Sequence, residues 1–515
     1  YGLGPRRNGP CFDRIDPHGH CRRTPKAVKF LSVILCFLGA IAQAEPLFRD
    51  LSHHLPEHRY LGGWNHFVGG GVAVMDCNGD SLPDIFAAGG TGPAGLFVNH
   101  GNFTFTAQPL PDIRASTGAY PIDINADGFM DLFVLRIGQN IILKGGPDCS
   151  FTPAKGAFTL PAADQWSTAF SAWWQDDGRP EMAVGNYVDL KNPEGPFFAC
   201  DSHEILTPRA DGYQSTPLEP GFCSLSMLTT KDASGALRLR ISNDRQYYVR
   251  GGYEQMWDLK ERRFLGASDG WEEISIWGMG IASRDITGDG REEVMLTSMG
   301  DQLMQMAQLD GTYRNAPFSI GTYAHRPYLG DDGRPSTGWH AQFGDMDNDG
   351  RADLFISKGN VDQMPSNAIK DPNNLLMQQA DGTFREMGQT AGLASTERGR
   401  GAALADFDGD GRLDVLVLNR RAPLEIYRNE TPNAGHWLAV SLLQPGGNRH
   451  AIGASVTING DMQRTIIGGG HAGGQAGPLH FGLGAATQAE ITVEWPGGQI
   501  THHKTAANQA ITLSP

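Results

Sequence analysis

The sequence predicts an all-β fold, namely a seven-bladed β-propeller followed by a small β-sandwich. An Asp-rich motif recurs in register between apolar, strand-like segments along most of the chain. The 515 residues include 67 glycines and 31 prolines but only 19% charged residues, which is typical of many short strands joined by tight turns. We therefore divide the chain into a leader (1–44), the propeller (45–432) and a C-terminal β-domain (433–515).

The motif reads D-x-D/N-x-D-G-x-x-D and lies between two apolar segments in each copy. Two further copies keep this frame but have lost most of the carboxylates. The seven copies begin at Asp76, Asp123, Trp173, Thr230, Asp285, Asp345 and Asp406. Repeats of about 50 residues with several strands each are typical of propeller blades, which bury their faces only when they stack around an axis. Seven copies therefore predict seven blades.

Extra length between repeats is concentrated in two segments, 189–221 and 360–374. We interpret both as long loops. Such loops usually collect on one face of a repeat protein, and that face holds the ligand.

The motif itself predicts a calcium site. Side chains at positions one, three, five and nine of a tight loop converge on one point, and glycine at position six permits the reversal. Oxygen ligands without His or Cys favour Ca²⁺. The predicted ligands are Asp76, Asn78, Asp80, Asp84, Asp123, Asn125, Asp127, Asp131, Asp285, Asp289, Glu293, Asp345, Asp347, Asp349, Asp353, Asp406, Asp408, Asp410 and Asp414.

An EF-hand is the main alternative for these loops, but it requires a Glu at position twelve and a following helix. Position twelve is occupied here by apolar residues in strand-like segments, namely Ala87, Val134, Leu296, Ile356 and Val417. The EF-hand interpretation therefore fails. We expect the metals to have a structural role.

The five loops are not equivalent. The loops at Asp76, Asp123, Asp345 and Asp406 are expected to bind well, whereas Thr287 at position three weakens the loop at Asp285. Ser81 replaces the usual glycine at position six of the first loop, which implies strain if φ is positive there. The third and fourth repeats are expected to hold no metal.

The charge pattern restricts the partners and the compartment. The formal net charge is −15, although residues 1–44 are basic, so an acidic surface argues against nucleic acid as a partner. The leader combines basic residues, a short apolar segment and small residues before Ala44, which predicts a cleaved secretory signal and no permanent membrane span. Four cysteines follow the leader, and we predict a disulfide between Cys200 and Cys223.

With the repeats laid out, the chain resembles FG-GAP or VCBS-type propellers. Its C-terminal part resembles the ASPIC/UnbV domain that follows such propellers in the cartilage acidic protein-like family. The residues that carry the second resemblance are HWLAVSLLQPGGNRHAIGASVTI (436–458), GGGHAGGQAGPLHFGLG (468–484) and ITVEWPGGQI (491–500). The resemblance implies secretion, calcium and binding of an adhesion or matrix type, and it identifies no ligand.

Other patterns have simpler interpretations. The histidines near the start of the propeller and in the C-terminal domain lack the spacing of metal ligands. The segment GGGHAGG lacks the Lys-Ser/Thr pair of a phosphate loop, so we predict a flexible turn. Tryptophans within the blade frames are expected to pack between blades; these are Trp173, Trp174, Trp257, Trp271, Trp277 and Trp339.

Three functions remain open. The first is a binding module that recognises a protein or glycan ligand on the loop face. The alternative is a secreted carbohydrate-active enzyme, a polysaccharide lyase or hydrolase on a propeller scaffold, although we assign no catalytic or cofactor-binding residue. The third is a structural partner in an envelope assembly. The sequence leaves the oligomeric state open.

Overall fold

The computed structural model describes residues 45–515 apart from 177, 195–197, 245–250 and 324–333. The predicted leader and Asp177 of the third repeat lie outside the described residues. Nearly all regular structure is β, with one four-residue α-helix (Gly388–Ala391) and short 3-10 turns at Ser52–His54, Trp64–His66, Pro147–Cys149, Gly156–Phe158, Ala267–Asp269 and Phe318–Ile320. No helix among these residues is long and apolar enough to span a bilayer.

The first strand of the described residues is β1 (Phe48–Asp50), and the first three blades follow it. The strands of blade 1 are β2 (Val72–Met75), β3 (Asp84–Ala87), β4 (Gly95–Asn99) and β5 (Phe105–Ala107). Those of blade 2 are β6 (Ser116–Ile122), β7 (Asp131–Gly138), β8 (Ile141–Gly146) and β9 (Ser150–Pro153). Those of blade 3 are β10 (Gln165–Trp173), β11 (Glu181–Asn186), β12 (His203–Arg209) and β13 (Gly212–Leu218).

Blades 4 to 7 repeat this antiparallel order. Blade 4 has β14 (Ser224–Lys231), β15 (Leu237–Asn243), β16 (Gln255–Asp258) and β17 (Arg263–Phe264). Blade 5 has β18 (Gly278–Arg284), β19 (Glu293–Ser298), β20 (Leu303–Ala307) and β21 (Tyr313–Asn315). Blade 6 has β22 (Gly338–Gly344), β23 (Asp353–Lys358), β24 (Asn374–Gln378) and β25 (Phe384–Glu386), and blade 7 has β26 (Gly399–Ala405), β27 (Asp414–Asn419) and β28 (Glu425–Asn429).

The blades close into a ring. Each first strand contacts the first strand of the next blade, and β26 of blade 7 contacts β2 of blade 1. Blade 7 takes its fourth strand from the other end of the propeller, because β1 pairs with β28 through Phe48 and Asn429. The described residues thus form antiparallel blades around one axis, and the all-β propeller prediction is confirmed. The sheets of blades 2 and 3 are joined because β10 pairs with β7.

The core of the propeller lies between neighbouring blades. Seven separate apolar clusters fill the seven gaps. In the gap between blades 2 and 3, for example, the rings of Phe133 and Phe170 stack at a centroid distance of 4.3 Å. Because each sheet is covered on both faces, its second strand is buried throughout, as in β23 and β27. Trp173, Trp174 and Trp257 pack in these clusters, as predicted. Trp277 and Trp339 belong instead to a separate apolar cluster that is not one of the seven.

The C-terminal domain is a sandwich of two sheets around its own apolar core. Its strands are β29 (His436–Leu442), β30 (Ser455–Ile458), β31 (Asp461–Arg464), β32 (Gln475–Ala476), β33 (Leu479–Gly484), β34 (Gln488–Glu494), β35 (Ile500–Ala506) and β36 (Gln509–Leu513). One sheet has the order β33-β29-β36 and the other β31-β30-β34-β35, whereas β32 pairs with β2 of the propeller.

The structure corrects one predicted connection, the loop 189–221, and confirms another, the disulfide between Cys200 and Cys223. The segment 189–221 is not one long loop, because it contains β12 and β13, the two outer strands of blade 3. These strands carry many polar residues because they lie at the outer edge of the blade, so their sequences lack the apolar pattern that predicts a strand. The predicted disulfide between Cys200 and Cys223 is present, and a second one joins Cys77 of blade 1 to Cys149 of blade 2.

Candidate functional site

Each acidic loop connects the first and second strands of a blade and is organised by its first aspartate. In the loop at Asp345, the Oδ1 atom accepts a hydrogen bond from the amide of Asp349 (3.0 Å) and Oδ2 accepts one from Gly350 (2.7 Å). Gly350 has a φ of +90°, a conformation that glycine adopts without strain. Ser81 occupies the same place in the first loop with a φ of +71°, so the strain expected there is present.

The ninth carboxylate ties the loop to the third strand of its blade. Asp353 accepts hydrogen bonds from the amides of Met346 (2.9 Å) and Gln378 (2.8 Å), and Asp414 accepts them from Phe407 (2.8 Å) and Asn429 (2.8 Å). Position nine therefore stabilises the blade whether or not a metal is bound. A carboxylate lost here breaks the sheet as well as the candidate site.

Two loops bring three carboxylates together. Ligand atoms of Asp345, Asp347 and Asp353 lie within 4.8 Å of one another, and so do those of Asp406, Asp408 and Asp414. Burial and the neighbouring carboxylates raise the pKa of Asp345 well above its usual value, and burial raises that of Asp406 to about 6. Crowded, buried carboxylates of this kind favour a bound cation.

These two triads fit a hard divalent cation. All the candidate ligand atoms are carboxylate oxygens. One of them, Oδ1 of Asp408, is buried and accepts no hydrogen bond. The fifth-position aspartates face arginines instead. Asp349 pairs with Arg351 and Asp410 pairs with Arg412, while Arg428 contacts Asp408 at 2.7 Å. Asp349 and Asp410 are therefore adjacent to the triads rather than part of them.

The other three loops are more open. Among the described residues, none of the loops at Asp76, Asp123 and Asp285 brings three carboxylates as close together. Their fifth-position aspartates have local partners instead, since Asn78 donates to Asp80 (2.9 Å) and Lys144 pairs with Asp127 (3.0 Å). In the spacing of their carboxylates, the loops at Asp76 and Asp123 are similar to the loop at Asp285. The sequence had instead predicted that they would bind metal as well as the loops at Asp345 and Asp406.

The buried members of these open loops are the ninth-position groups and the first-position Asp123 and Asp285. Burial raises the pKa of Asp84 to about 6, and those of Asp131 and Glu293 to about 7. The other predicted ligands, Asp76, Asn78, Asp80, Asn125, Asp127 and Asp289, are partly or fully exposed to solvent. Asp84 also lies beside Cys77 and Cys149, whose sulfurs are joined in a disulfide and are therefore not available to a metal.

In the third and fourth repeats, arginine takes the place of a metal. Glu181, the ninth-position residue of the third repeat, contacts Arg262 at 3.1 Å. In the fourth repeat, Arg238 stands at position nine and contacts the third-position Asp232 at 3.1 Å. A protein cation thus neutralises the carboxylate in both blades that have lost the motif.

The C-terminal domain covers the acidic loops. The amide of Gly435 donates to the carbonyl of Asp347 (2.9 Å), and the amide of Gly484 donates to that of Asn348 (2.8 Å). Two ion pairs, Arg284 with Asp461 (2.7 Å) and Glu292 with Arg464 (3.1 Å), extend the contact to blade 5. This coverage contributes to the burial of the triad at Asp345, and no pattern in the sequence indicated it.

A glycine-rich segment of the C-terminal domain, residues 466–476, occupies the propeller axis. The amide of Gly469 donates to Met227 of blade 4 (2.6 Å), that of Gly470 donates to Ile281 of blade 5 (2.7 Å), and Val74 of blade 1 donates to Gly474 (3.1 Å). The prediction of a flexible turn for GGGHAGG is therefore wrong. Glycines are needed here because backbone meets backbone: a Cβ on Gly473 would lie 2.1 Å from the carbonyl oxygen of Val72.

His471 is the buried side chain at the centre of this axial segment. Its Nε2 accepts a hydrogen bond from the amide of Gly69 (3.2 Å), its Nδ1 lies 3.1 Å from the carbonyl of Met279, and its ring packs against Trp339. Burial, with the nearby charge of Arg400, lowers the pKa of His471 to about 3. The imidazole is therefore neutral and has a structural role. The sequence did not distinguish His471 from the other histidines.

We expect the stability of the fold to depend on pH through His471. An unfolded histidine titrates near 6.5, so the unfolded chain binds a proton that the folded chain refuses, and stability falls as the pH drops below that value. His471→Gln removes this contribution. Acidification from pH 6.5 to 5 should cost the parent about 2 kcal/mol more than it costs the variant, measured by urea unfolding in calcium at both pH values. Equal losses would contradict this account, and His340, whose pKa is lowered in the same way, gives an independent comparison as His340→Gln.

A cavity at the side of the propeller is a candidate for a catalytic pocket. It has a volume of about 410 Å³ between blades 4 and 5 and the C-terminal domain, and its charged lining residues are Lys231, Asp232, Asp289, Arg291, Glu292, Asp310 and Arg464. The lining contains no His, Tyr, Ser–His pair or Cys. The axis, where a propeller enzyme would be expected to have a deep polar pocket, is filled by residues 466–476.

Comparison with known families follows the same division of the chain. The family model for the ASPIC and UnbV domain matches residues 444–515, and that for the FG-GAP-like repeat matches residues 76–134 and 366–417. The chain therefore contains FG-GAP-like repeats and an ASPIC and UnbV domain, as the resemblance in the sequence predicted.

Curated proteins that are similar to this chain include three named cartilage acidic protein 1. The protein from Mus musculus is 25% identical over 253 residues, which cover 47% of this chain and 37% of the relative. The protein from Homo sapiens is also 25% identical over 253 residues, with 36% of the relative covered. The alignment thus spans little more than a third of each relative's length.

Solved structures with a similar architecture were also found. The crystal structure of BBS1N in complex with ARL6DN covers 76% of this chain and 99% of its own at 10% identity, with a TM-score of 0.44. A lectin from Agrocybe aegerita that recognises non-reducing terminal N-acetylglucosamine covers 73% of this chain and 82% of its own at 15% identity, with a TM-score of 0.31. At TM-scores this low, neither structure carries an inference about the present chain.

Proposed function

From the premise that this chain joins FG-GAP-like repeats to an ASPIC and UnbV domain, we propose that it is an exported, calcium-stabilised binding module. Its ligand, a protein or a glycan, binds the face of the propeller opposite the C-terminal domain. The observation that carries this proposal is the position of that domain, which covers the acidic loops and fills the axis and so leaves one face of the ring for a partner.

The proposal of calcium rests on the two triads and on the third and fourth repeats. The triads offer only carboxylate oxygens, which suit Ca²⁺. Where the motif is lost, Arg262 and Arg238 supply the positive charge instead. In the two triads the ninth-position carboxylates Asp353 and Asp414 accept amide hydrogen bonds, and no ion pair with an arginine is present there among the described residues. A cation from solution would supply the missing charge, held by Asp345, Asp347, Asp353, Asp406, Asp408 and Asp414.

The proposal of export rests on the two disulfides and on the predicted secretory leader. The pairs Cys77–Cys149 and Cys200–Cys223 both tie neighbouring blades or loops together, and such bonds persist in oxidising compartments. Calcium sites of modest affinity also stay filled outside the cell. A secreted, periplasmic or cell-surface location satisfies both requirements.

The loop face is built by the connections between the second and third strands of each blade and those between blades. Because adjacent strands are antiparallel, these connections lie at the end of the ring away from the acidic loops. They expose large apolar side chains: Phe318 is 80% exposed, Phe198 is 67% exposed and Trp64 is 45% exposed. Exposed aromatic residues on an otherwise polar face are typical of binding surfaces.

Binding of the full chain to an array of immobilised glycans and extracellular proteins in calcium tests this function. We expect Phe198→Ser and Phe318→Ser to weaken binding about tenfold, as for aromatic residues at an interface centre. Ile500→Ser is the matched control, because Ile500 is 58% exposed on the C-terminal domain. Binding that depends on Ile500 but not on either phenylalanine would contradict the proposed face.

A further inference from the structure

A buried lysine, aspartate and asparagine lie together in blade 6, at the end of the ring that carries the loop face. Lys358 is the last residue of β23, and Asn374 is the first residue of β24. Asp371 precedes β24 in the connection between these two strands. The exposed fraction is 0% for Lys358 and Asp371 and 1% for Asn374, so the three side chains are excluded from bulk solvent. We call these three residues the Lys–Asp–Asn group.

The side chains of the Lys–Asp–Asn group contact one another in a fixed arrangement. Nζ of Lys358 lies 3.1 Å from Oδ1 of Asp371 and donates to Oδ1 of Asn374 at 3.0 Å. On its other side, the Asn374 carboxamide donates from Nδ2 to Oε1 of Glu386 at 3.1 Å. Because Glu386 accepts from Nδ2 and Lys358 donates to Oδ1, the carboxamide is held with its carbonyl group toward the amine. The hydroxyl of Ser336 donates to Oδ1 of Asp371 (2.8 Å) and fixes that carboxylate as well.

The sheet face that carries this group is otherwise apolar. Side chains alternate along a strand, so Lys358 and Asn374 lie on the same face of the sheet as Ile356 and Leu376. Ile356 and Leu376 belong to the apolar cluster between blades 5 and 6. A low dielectric disfavours the ammonium and carboxylate charges relative to a neutral amine and a neutral acid. The neutral amine is the nucleophilic form of lysine, so this environment favours reaction with an adjacent carbonyl carbon.

We propose that Lys358 and Asn374 condense to an isopeptide bond, with Asp371 as the proton carrier. Lys358 gives one ammonium proton to Asp371, and the lone pair of Nζ then attacks Cγ of Asn374. The Cγ–Nδ2 bond breaks when the tetrahedral intermediate collapses. The leaving nitrogen takes a second proton from Nζ and the proton held by Asp371, so it departs as ammonium and Asp371 is again a carboxylate. One C–N bond replaces another, so the reaction consumes no oxidant and no added reactant.

The isopeptide bond closes the long connection between β23 and β24 at its base. Lys358 and Asn374 are 16 residues apart in the sequence, and the connection between them lies on the loop face. A covalent bond that closes a loop restricts the unfolded chain, and an amide, unlike a disulfide, is not broken by reductants. The inference goes beyond the proposed function, because it concerns the covalent structure of blade 6 and holds whatever ligand the loop face binds.

Mass spectrometry of the purified full chain, after folding and then reduction and denaturation, tests the inference. We expect a mass about 17 Da below the one calculated from the sequence, because one ammonia molecule is lost when an amine displaces a carboxamide nitrogen. Trypsin should not cut after Lys358, and the peptides 352–370 and 371–385 should be recovered as one branched species. The branched species distinguishes the isopeptide bond from loss of ammonia by an asparagine elsewhere in the chain.

Two variants separate the electrophile from the proton carrier. Asn374→Ala keeps the ion pair of Lys358 with Asp371 and should have the calculated mass. Asp371→Ala should be converted about a hundredfold more slowly than the parent, the contribution of a positioned proton carrier. The control is Lys504→Met, since Lys504 is an exposed lysine that pairs with Glu490 (3.3 Å), and this variant should keep the full mass deficit. A parent chain with the calculated mass, or a deficit that persists in Asn374→Ala, would overturn the inference; the parent result does so even if a variant fails to fold.

Discussion

In millimolar calcium, Asp347→Ala is expected to lose about 3 kcal/mol of stability, the contribution of a site filled at roughly a hundred times its dissociation constant. Asp347 is a buried member of the triad with Asp345 and Asp353. In EDTA the sign should reverse or the difference vanish, because removing one of three crowded carboxylates relieves repulsion. Chemical unfolding of parent and variant under both conditions measures the effect.

Asp232→Ala provides the matched control for this experiment. Asp232 holds the same third position in the fourth repeat, where it pairs with Arg238 rather than with a metal. Its replacement should cost the same in calcium as in EDTA. Equal stability of Asp347→Ala and the parent in calcium would contradict a structural metal at this loop.

The second large effect is expected at Gly473 in the axial segment. The Cβ of Gly473→Ala would lie 2.1 Å from the carbonyl oxygen of Val72, which belongs to the first strand of blade 1 and cannot move alone. We expect a loss of about 3 kcal/mol or more, since a rigid backbone must shift to admit the methyl group. Thermal unfolding of the full chain is the measurement.

Gly477→Ala, four residues further along, is the control for Gly473→Ala. No atom lies within 4 Å of a Cβ placed there, so the change should alter stability by less than about 0.5 kcal/mol. Similar behaviour of the two variants would mean that the axial segment does not hold the ring together.

The blades could be predicted from the sequence because their signal is local and repeated. An aspartate loop between two apolar strands marks the same corner of each sheet, and even the third and fourth repeats keep enough of the frame to be placed. The outer strands β12 and β13 escaped because they carry polar residues and pack on one side only. The pair Cys200–Cys223 was predictable from its short separation, whereas Cys77 and Cys149 are 72 residues apart on different blades.

The candidate site was only partly predictable for a related reason. The predicted ligands include the carboxylates of both triads, but how closely and how deeply these carboxylates are packed depends on what covers them, and part of that cover comes from a distant domain. Gly435 and Gly484 close over the loop at Asp345 through backbone hydrogen bonds, which no side-chain pattern announces. The axial segment was wrongly predicted to be a flexible turn, because a glycine-rich sequence usually indicates backbone flexibility. Here the missing side chains allow several strands to approach one segment closely.

The axial segment also determines how the molecule would respond to a mechanical load. A pull on the C-terminal domain reaches blades 1, 4 and 5 together through Gly474, Gly469 and Gly470, and these hydrogen bonds resist it in parallel. A propeller pulled through its outermost strand would instead open blade by blade, one ladder at a time. The axial segment would thus distribute tension over three blades at once, which would suit the binding module proposed above.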